Sequence, residues 1–138
     1  MNRYLLDTNV VSELRKPKPH GAVLGWLSEL QESQIYLSAV TIGELQAGVE
    51  KTRSQDPQKA AQIQSWIDLL EDSYQVLAMD ALCFREWARL MHGLPDEVLE
   101  VVMIGATARI HELTVATRNE RDFASLGVRI FNPFKAVR

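Results

Sequence analysis

The chain has 138 residues, a length that suits one compact domain with its own core. Hydrophobic residues make up 46% and charged residues 24%, no apolar run approaches the ~20 residues that span a bilayer, and "MNRYLLDTN" turns polar too early for a secretory signal. The formal net charge of −3 argues against gripping nucleic acid by bulk charge, though not against a local basic rim or bound cations in an acidic pocket.

Short apolar runs alternate with helical patterns along the chain. Tyr4-Leu5-Leu6 reads as a strand, followed by a helix starting over Val10 to Leu14. "RKPKP" breaks the chain before a helix over Ala22 to Leu30. Ile35-Tyr36-Leu37 is a strand and Thr41 to Lys51 a helix. After the break "RSQDPQ" comes a helix over Gln58 to Leu70, with Ile63, Trp66, Ile67 and Leu70 on one face. Tyr74 to Leu77 is a strand, and Ala81 to His92 and Pro95 to His111 are helices. Thr114-Val115-Ala116 is a strand, "TRNERDF" a polar turn ending in Asp122, and Val128 to Phe131 a last strand. Such alternation predicts an α/β protein with a mostly parallel sheet covered on both faces. No repeats or long linkers interrupt it.

In parallel sheets ligands bind beyond the carboxyl ends of the strands. The first strand runs into Asp7-Thr8-Asn9, the second into "SAVTIGEL" with Glu44, and the fourth into a segment with Asn119 and Asp122. Grouped carboxylates repel one another unless a cation is present, and such hard oxygens suit Mg²⁺ or Mn²⁺. Each residue also has a plainer reading. Asp7 fits as a helix cap, and Glu44 fits a capping box with Thr41. Asn119 and Asp122 fit as solvated turn residues. His20, His92 and His111 share no metal-binding spacing, and Cys83 is the one cysteine, so neither type builds a metal site. Trp26, Trp66 and Trp87 sit in apolar helical patterns and read as core. No glycine follows the first strand in "DTNVVSE", which argues against a phosphate loop and a nucleotide-binding alternative.

"YLLDTNVVSELRKPKP", "IYLSAVTIGELQAGVEK" and "MIGATARIHELTVATRNERDF" resemble the PIN-domain family, in particular its VapC and FitB toxins of type II toxin–antitoxin pairs. The resemblance covers nearly the whole chain, so 1–138 reads as a single PIN domain. It implies a three-layer α/β/α fold and a Mg²⁺-dependent endoribonuclease, with Mn²⁺ an alternative metal. It also implies a cytoplasmic homodimer off the membrane. A small DNA-binding antitoxin would inhibit it and form a higher complex with it on operator DNA. The family pattern assigns Asp7, Glu44 and Asp122 as catalytic metal ligands. Thr8 then braces Asp7, while Thr117 and Asn119 complete the last motif.

One position departs from the pattern. The third motif places an aspartate three residues before Ile104, and here that residue is Val101. Valine cannot ligate a cation. Glu100 should point elsewhere, about 100° around the helix, whereas Glu97 lies one turn earlier on the same face. The sequence therefore carries two readings: a ribonuclease drawing RNA through its metals and a rim such as Arg118, Arg121 and Lys51, or a silent PIN-fold module that still pairs with an antitoxin.

Overall fold

The computed structural model describes residues 1–135; the last three residues of the 1–138 domain assignment lie outside the described residues. Strand β1 (Tyr4–Leu6) leads into α1 (Thr8–Glu13) and α2 (Gly21–Ser28). Then come β2 (Ile35–Ser38), α3 (Ala39–Arg53), α4 (Pro57–Ser73), β3 (Gln75–Leu77) and α5 (Ala81–Met91). The chain ends with α6 (Leu99–His111), β4 (Thr114–Ala116), α7 (Glu120–Ala124) and β5 (Ile130–Phe131). These strands form one five-stranded sheet in the order β3-β2-β1-β4-β5. Every pairing is parallel, with Leu6 opposite Leu37 on one side and Ala116 on the other.

Side chains alternate across a strand, so β1 feeds two layers. Tyr4 and Leu6 join Val10, Val11, Val23, Trp26 and Leu70, beneath α1, α2 and α4. Leu5 joins Val102, Ile104, Ala108, Val115 and Phe123 on the opposite face, beneath α6 and α7. A strand buried on both faces reads as a continuous apolar run, which is why "YLL" does not alternate. The result is the expected three-layer α/β/α arrangement. The chain winds outward through β2 and β3, then returns to the other side of β1 with β4. That reversal opens a crevice at the carboxyl ends of β1 and β4.

Several boundaries shift for identifiable reasons. Helix α3 starts at Ala39 because Ser38 caps it, its hydroxyl accepting from the Val40 N–H at 3.0 Å. The helix predicted from Pro95 divides into a 3₁₀ turn over Asp96–Val98 and then α6, since Pro95 is held extended. The segment read as a polar turn contains α7, so Asp122 is helical. The last strand shortens to Ile130–Phe131.

At the far pole, Glu86 ties α5 to α6. Its carboxylate accepts from Arg109 Nε at 2.6 Å and from Arg89 Nε at 3.0 Å. Arg109 also donates to the Leu126 and Gly127 carbonyls at 3.1 Å. Arg109, then Arg89, holds the Glu86 carboxyl below its ordinary value despite partial desolvation. A depressed folded value means that the stabilisation is full above the unfolded value of about 4.3 and fades as pH falls through the folded one. Because the Arg109 side chain is 39% exposed, solvent screening trims the effect. Glu86→Ala is expected to lower stability by about 1–2 kcal/mol at neutral pH, with the gap to the parent narrowing in acid. Urea melts of both proteins at neutral and acidic pH check this; a gap unchanged in acid would contradict it.

Candidate active site

Asp7 follows β1 directly and occupies two roles at once. As the cap of α1 its Oδ1 accepts the Thr8 N–H at 2.8 Å. Its Oδ2 accepts from the Thr117 hydroxyl at 2.8 Å and from Asn9 Nδ2 at 3.2 Å. Thr117 follows β4 and is fully buried. It is also a hub, since its oxygen accepts the Asn119 N–H at 2.9 Å. The cap reading of Asp7 is therefore right, and the same carboxylate is tied to the end of β4. Burial pushes the Asp7 carboxyl up; Thr117 and Thr8 pull it down, and the nearby Asp122 charge raises it further.

The hydroxyl of Thr8 does not brace Asp7, as the family pattern suggested. It donates to Glu44 Oε1 at 2.8 Å and lies 2.9 Å from the Thr41 hydroxyl. A hydroxyl has one proton to give. With that of Thr8 spent on Glu44, the Thr41 hydroxyl donates to Thr8. This makes a relay from α3 through α1 back to α3. Thr41 is thus no helix cap: it lies fully buried three residues before Glu44, and Ser38 takes the cap. The "TIGE" spacing that mimics a capping box also puts both side chains on one helix face, and that was the signal available for Thr41.

Glu44 lies beside another acid. Burial raises its carboxyl first, the Thr8 hydrogen bond opposes this, and contact with the Glu100 carboxyl and the charge of Asp7 raise it again. Glu100 therefore turns toward the site rather than away from it. Helix α6 begins only at Leu99, so its first turn is set by the preceding 3₁₀ turn and not by a continuous helix from Pro95. The half-buried Val101 packs against the apolar layer of Leu5, Val102, Val115 and Phe123. Glu97 is exposed on the 3₁₀ turn. Asn119 and Asp122 are exposed at the start of α7, with the Asp122 N–H donating to the Asn119 carbonyl at 3.2 Å. The Arg118 N–H reaches Asn9 Oδ1 at 3.3 Å, while its guanidinium lies 3.8 Å from the Phe134 ring centre.

Does this donor set fit a divalent cation? In chemistry it does. The donors are hard oxygens, and two of the carboxyls are pushed up by burial and by neighbouring acids, a state that positive charge relieves. In number it falls short of a closed set. Asp7 associates with Asp122, and Glu44 with Glu100, but among the described residues no three Asp, Glu, His or Cys side chains come close enough to hold a metal ion. The histidines stay outside: His20 caps α2 with Nδ1 and packs on Phe134.

A parallel α/β/α sheet with hydroxyl-braced carboxylates at its topological switch defines the class of acidic-site α/β folds. The particular family follows: residues 4–128 match the PIN domain, and the chain belongs to the PIN-domain family. It is 34% identical over 137 residues to toxin FitB of Neisseria gonorrhoeae, covering 94% of this chain and 97% of that one. It is 33% identical over 136 residues to the VapC ribonuclease Y4jK of Sinorhizobium fredii, covering 95% and 97%. The crystal structure of FitAcB from Neisseria gonorrhoeae superposes with a TM-score of 0.84 at 32% identity, over 96% of this chain and 99% of that chain. PIN-domain ribonucleases in general depend on a divalent metal.

Thr117 carries most of the buried hydrogen bonding to Asp7. Thr117→Val keeps the shape and removes the hydroxyl, leaving Oδ2 with only the longer Asn9 bond. A loss of about 1–3 kcal/mol is expected, measured by urea unfolding in EDTA. Undiminished stability would mean that solvent reaches Asp7 more readily than its 7% exposure implies.

Proposed function

We propose that the chain is the toxin of a type II toxin–antitoxin pair, a divalent-metal-dependent endoribonuclease that hydrolyses RNA phosphodiester bonds. Mg²⁺ is the metal we assign, with Mn²⁺ able to replace it. What supports this reading is the buried Asp7 carboxylate braced by Thr117 and linked through Thr8 to Glu44, at the strand exits. In this reading Asp7, Glu44 and Asp122 hold the cation. When bound, it supplies the charge that lowers the pKa of a water and braces the oxygens of an in-line displacement. Thr117 fixes the Asp7 carboxylate, Thr8 fixes Glu44, and Asn119 borders the opening where a phosphate arrives. The whole chain, 1–138, acts as one domain in the cytoplasm, as a homodimer. Its partner is a small co-encoded antitoxin that binds DNA, and the two assemble on operator DNA. None of the helices of the described residues is long and apolar enough to cross a membrane.

The packing of Val101 favours a second reading, a PIN-fold module that keeps its antitoxin but has lost its chemistry. Val101 is committed to the apolar layer, at the position where the family pattern has a ligand.

A nuclease assay separates the two. The protein and its Val101→Asp variant are compared on single-stranded RNA with Mg²⁺, with Mn²⁺ and with EDTA. The variant is expected to cleave, to stop in EDTA, and to lose activity again with Asp7→Ala. It should also gain stability on adding Mg²⁺, about 2.7 kcal/mol at a hundredfold excess over Kd, while the parent gains much less. A parent that cleaves as fast as the variant would show Val101 to be harmless. A parent that cleaves nothing while the variant cleaves would favour the silent module, and a variant that also cleaves nothing would count against the assigned donors.

A further inference from the structure

A groove of about 730 Å³ opens beside the acidic site. Thr8 and Glu44 line its inner end, so groove and site are continuous. Its walls carry three cations: Arg15 and Lys16 on the α1–α2 connection, and Lys59 on α4. Lys16 pairs with Glu13 at 2.9 Å but keeps a side chain 58% exposed. Neither Arg15 nor Lys59 has an acidic partner among the described residues. Glu44 is the one acid on the lining. On a chain of net charge −3, this is a local reversal of sign that leads straight into the carboxylates.

The floor has its own signature. Gly48 sits inside α3, where glycine weakens a helix. A Cβ added there would meet nothing within 4 Å, so packing does not require glycine. Its absent side chain leaves backbone open to close approach from the groove.

We propose that the groove is a phosphate track. It holds the backbone of the single-stranded RNA next to the scissile bond, with Arg15 and Lys59 each meeting a phosphate. This rests on the ribonuclease reading and names where its substrate lies. The acidic site repels RNA in the absence of cations, so affinity for the flanking chain has to come from positive charge nearby, and unpaired cations supply it through counterion release. An occupant without negative charge would leave Arg15 and Lys59 unmatched, which is why the observations favour a polyanion.

The test is binding rather than activity. A random-sequence, fluorescently labelled single-stranded RNA is titrated with the full chain in EDTA across a series of salt concentrations. Arg15→Ala with Lys59→Ala is expected to weaken binding by about tenfold and to flatten the plot of log K against log salt by about 1.4, at about 0.7 per phosphate contact on a single strand. Arg85→Ala, on α5 and outside the groove, leaves the slope unchanged. Gly48→Glu meets no steric obstacle, keeps the helix, and should weaken RNA binding by putting a carboxylate in the track. If the parent binds RNA and no groove variant alters affinity or slope, the track is overturned while the ribonuclease reading stands. If the groove variants weaken the co-encoded antitoxin but not RNA, the groove is a peptide site and the proposal fails. If the parent binds no RNA and Val101→Asp cleaves none, both the track and the ribonuclease reading fall.

Discussion

The hydrogen bond from Thr117 to Asp7 is the constraint on which the site depends. It joins the residue after β1 to the residue after β4, across the point where the chain reverses its winding. The Asp7 N–H reinforces the junction by donating to the Ala116 carbonyl at 2.9 Å. Two strand ends distant in sequence are thereby held in register at one buried carboxylate. Because the same carboxylate caps α1, helix direction, strand register and acid placement are fixed together. Moving any one of them breaks a hydrogen bond that water cannot easily replace.

Around that junction the electrostatics work against the fold. Asp7 and Glu44 are carboxyls that burial and neighbouring acids push toward the neutral form. A protein concerned only with stability would avoid such a grouping, since carboxyls gathered in a cleft and pushed toward the neutral form are a mark of functional sites. The hydroxyl relay from Thr41 through Thr8 offsets part of the strain by giving Glu44 a donor. Val101 bears on the same balance. It spares the cluster one negative charge and joins the apolar layer instead, while Glu100 leans in from the neighbouring position.

The distribution of charge gives the surface a direction. The chain is acidic overall, its carboxylates gather at the carboxyl edge of the sheet, and Arg15, Lys16 and Lys59 line the groove that leads there. The opposite pole is organised differently. There Arg3, Arg109 and Arg129 donate to main-chain carbonyls at the end of α6 and in the turn before β5. Those arginines tie down chain ends, whereas two of the groove cations have no such employment.

What the sequence determined by itself was whatever local periodicity and strand exits encode. Alternating apolar runs gave the parallel sheet and its layers, and "LLDTN" and "TVATRN" put Asp7 and Thr117 just past two strands. Asp7, Glu44, Asn119 and Asp122 were legible as candidates because each follows a strand directly or lies within a turn or two of one. Tertiary structure alone decided which hydroxyl serves which acid. The Thr8 hydroxyl turns to Glu44 while its N–H keeps Asp7, because α3 packs beside α1 and brings Thr41 and Glu44 within reach. Ser38, not Thr41, caps α3, since the cap goes to the residue whose backbone is still extended as it leaves β2. Glu100 faces Glu44 because Pro95 delays the start of α6 and so resets its phase. The groove cations come from separate elements, α4 and the α1–α2 connection, and no local pattern joins them. A helix's phase and a pair's proximity depend on where distant segments come to rest, and the order β3-β2-β1-β4-β5 is what sets both.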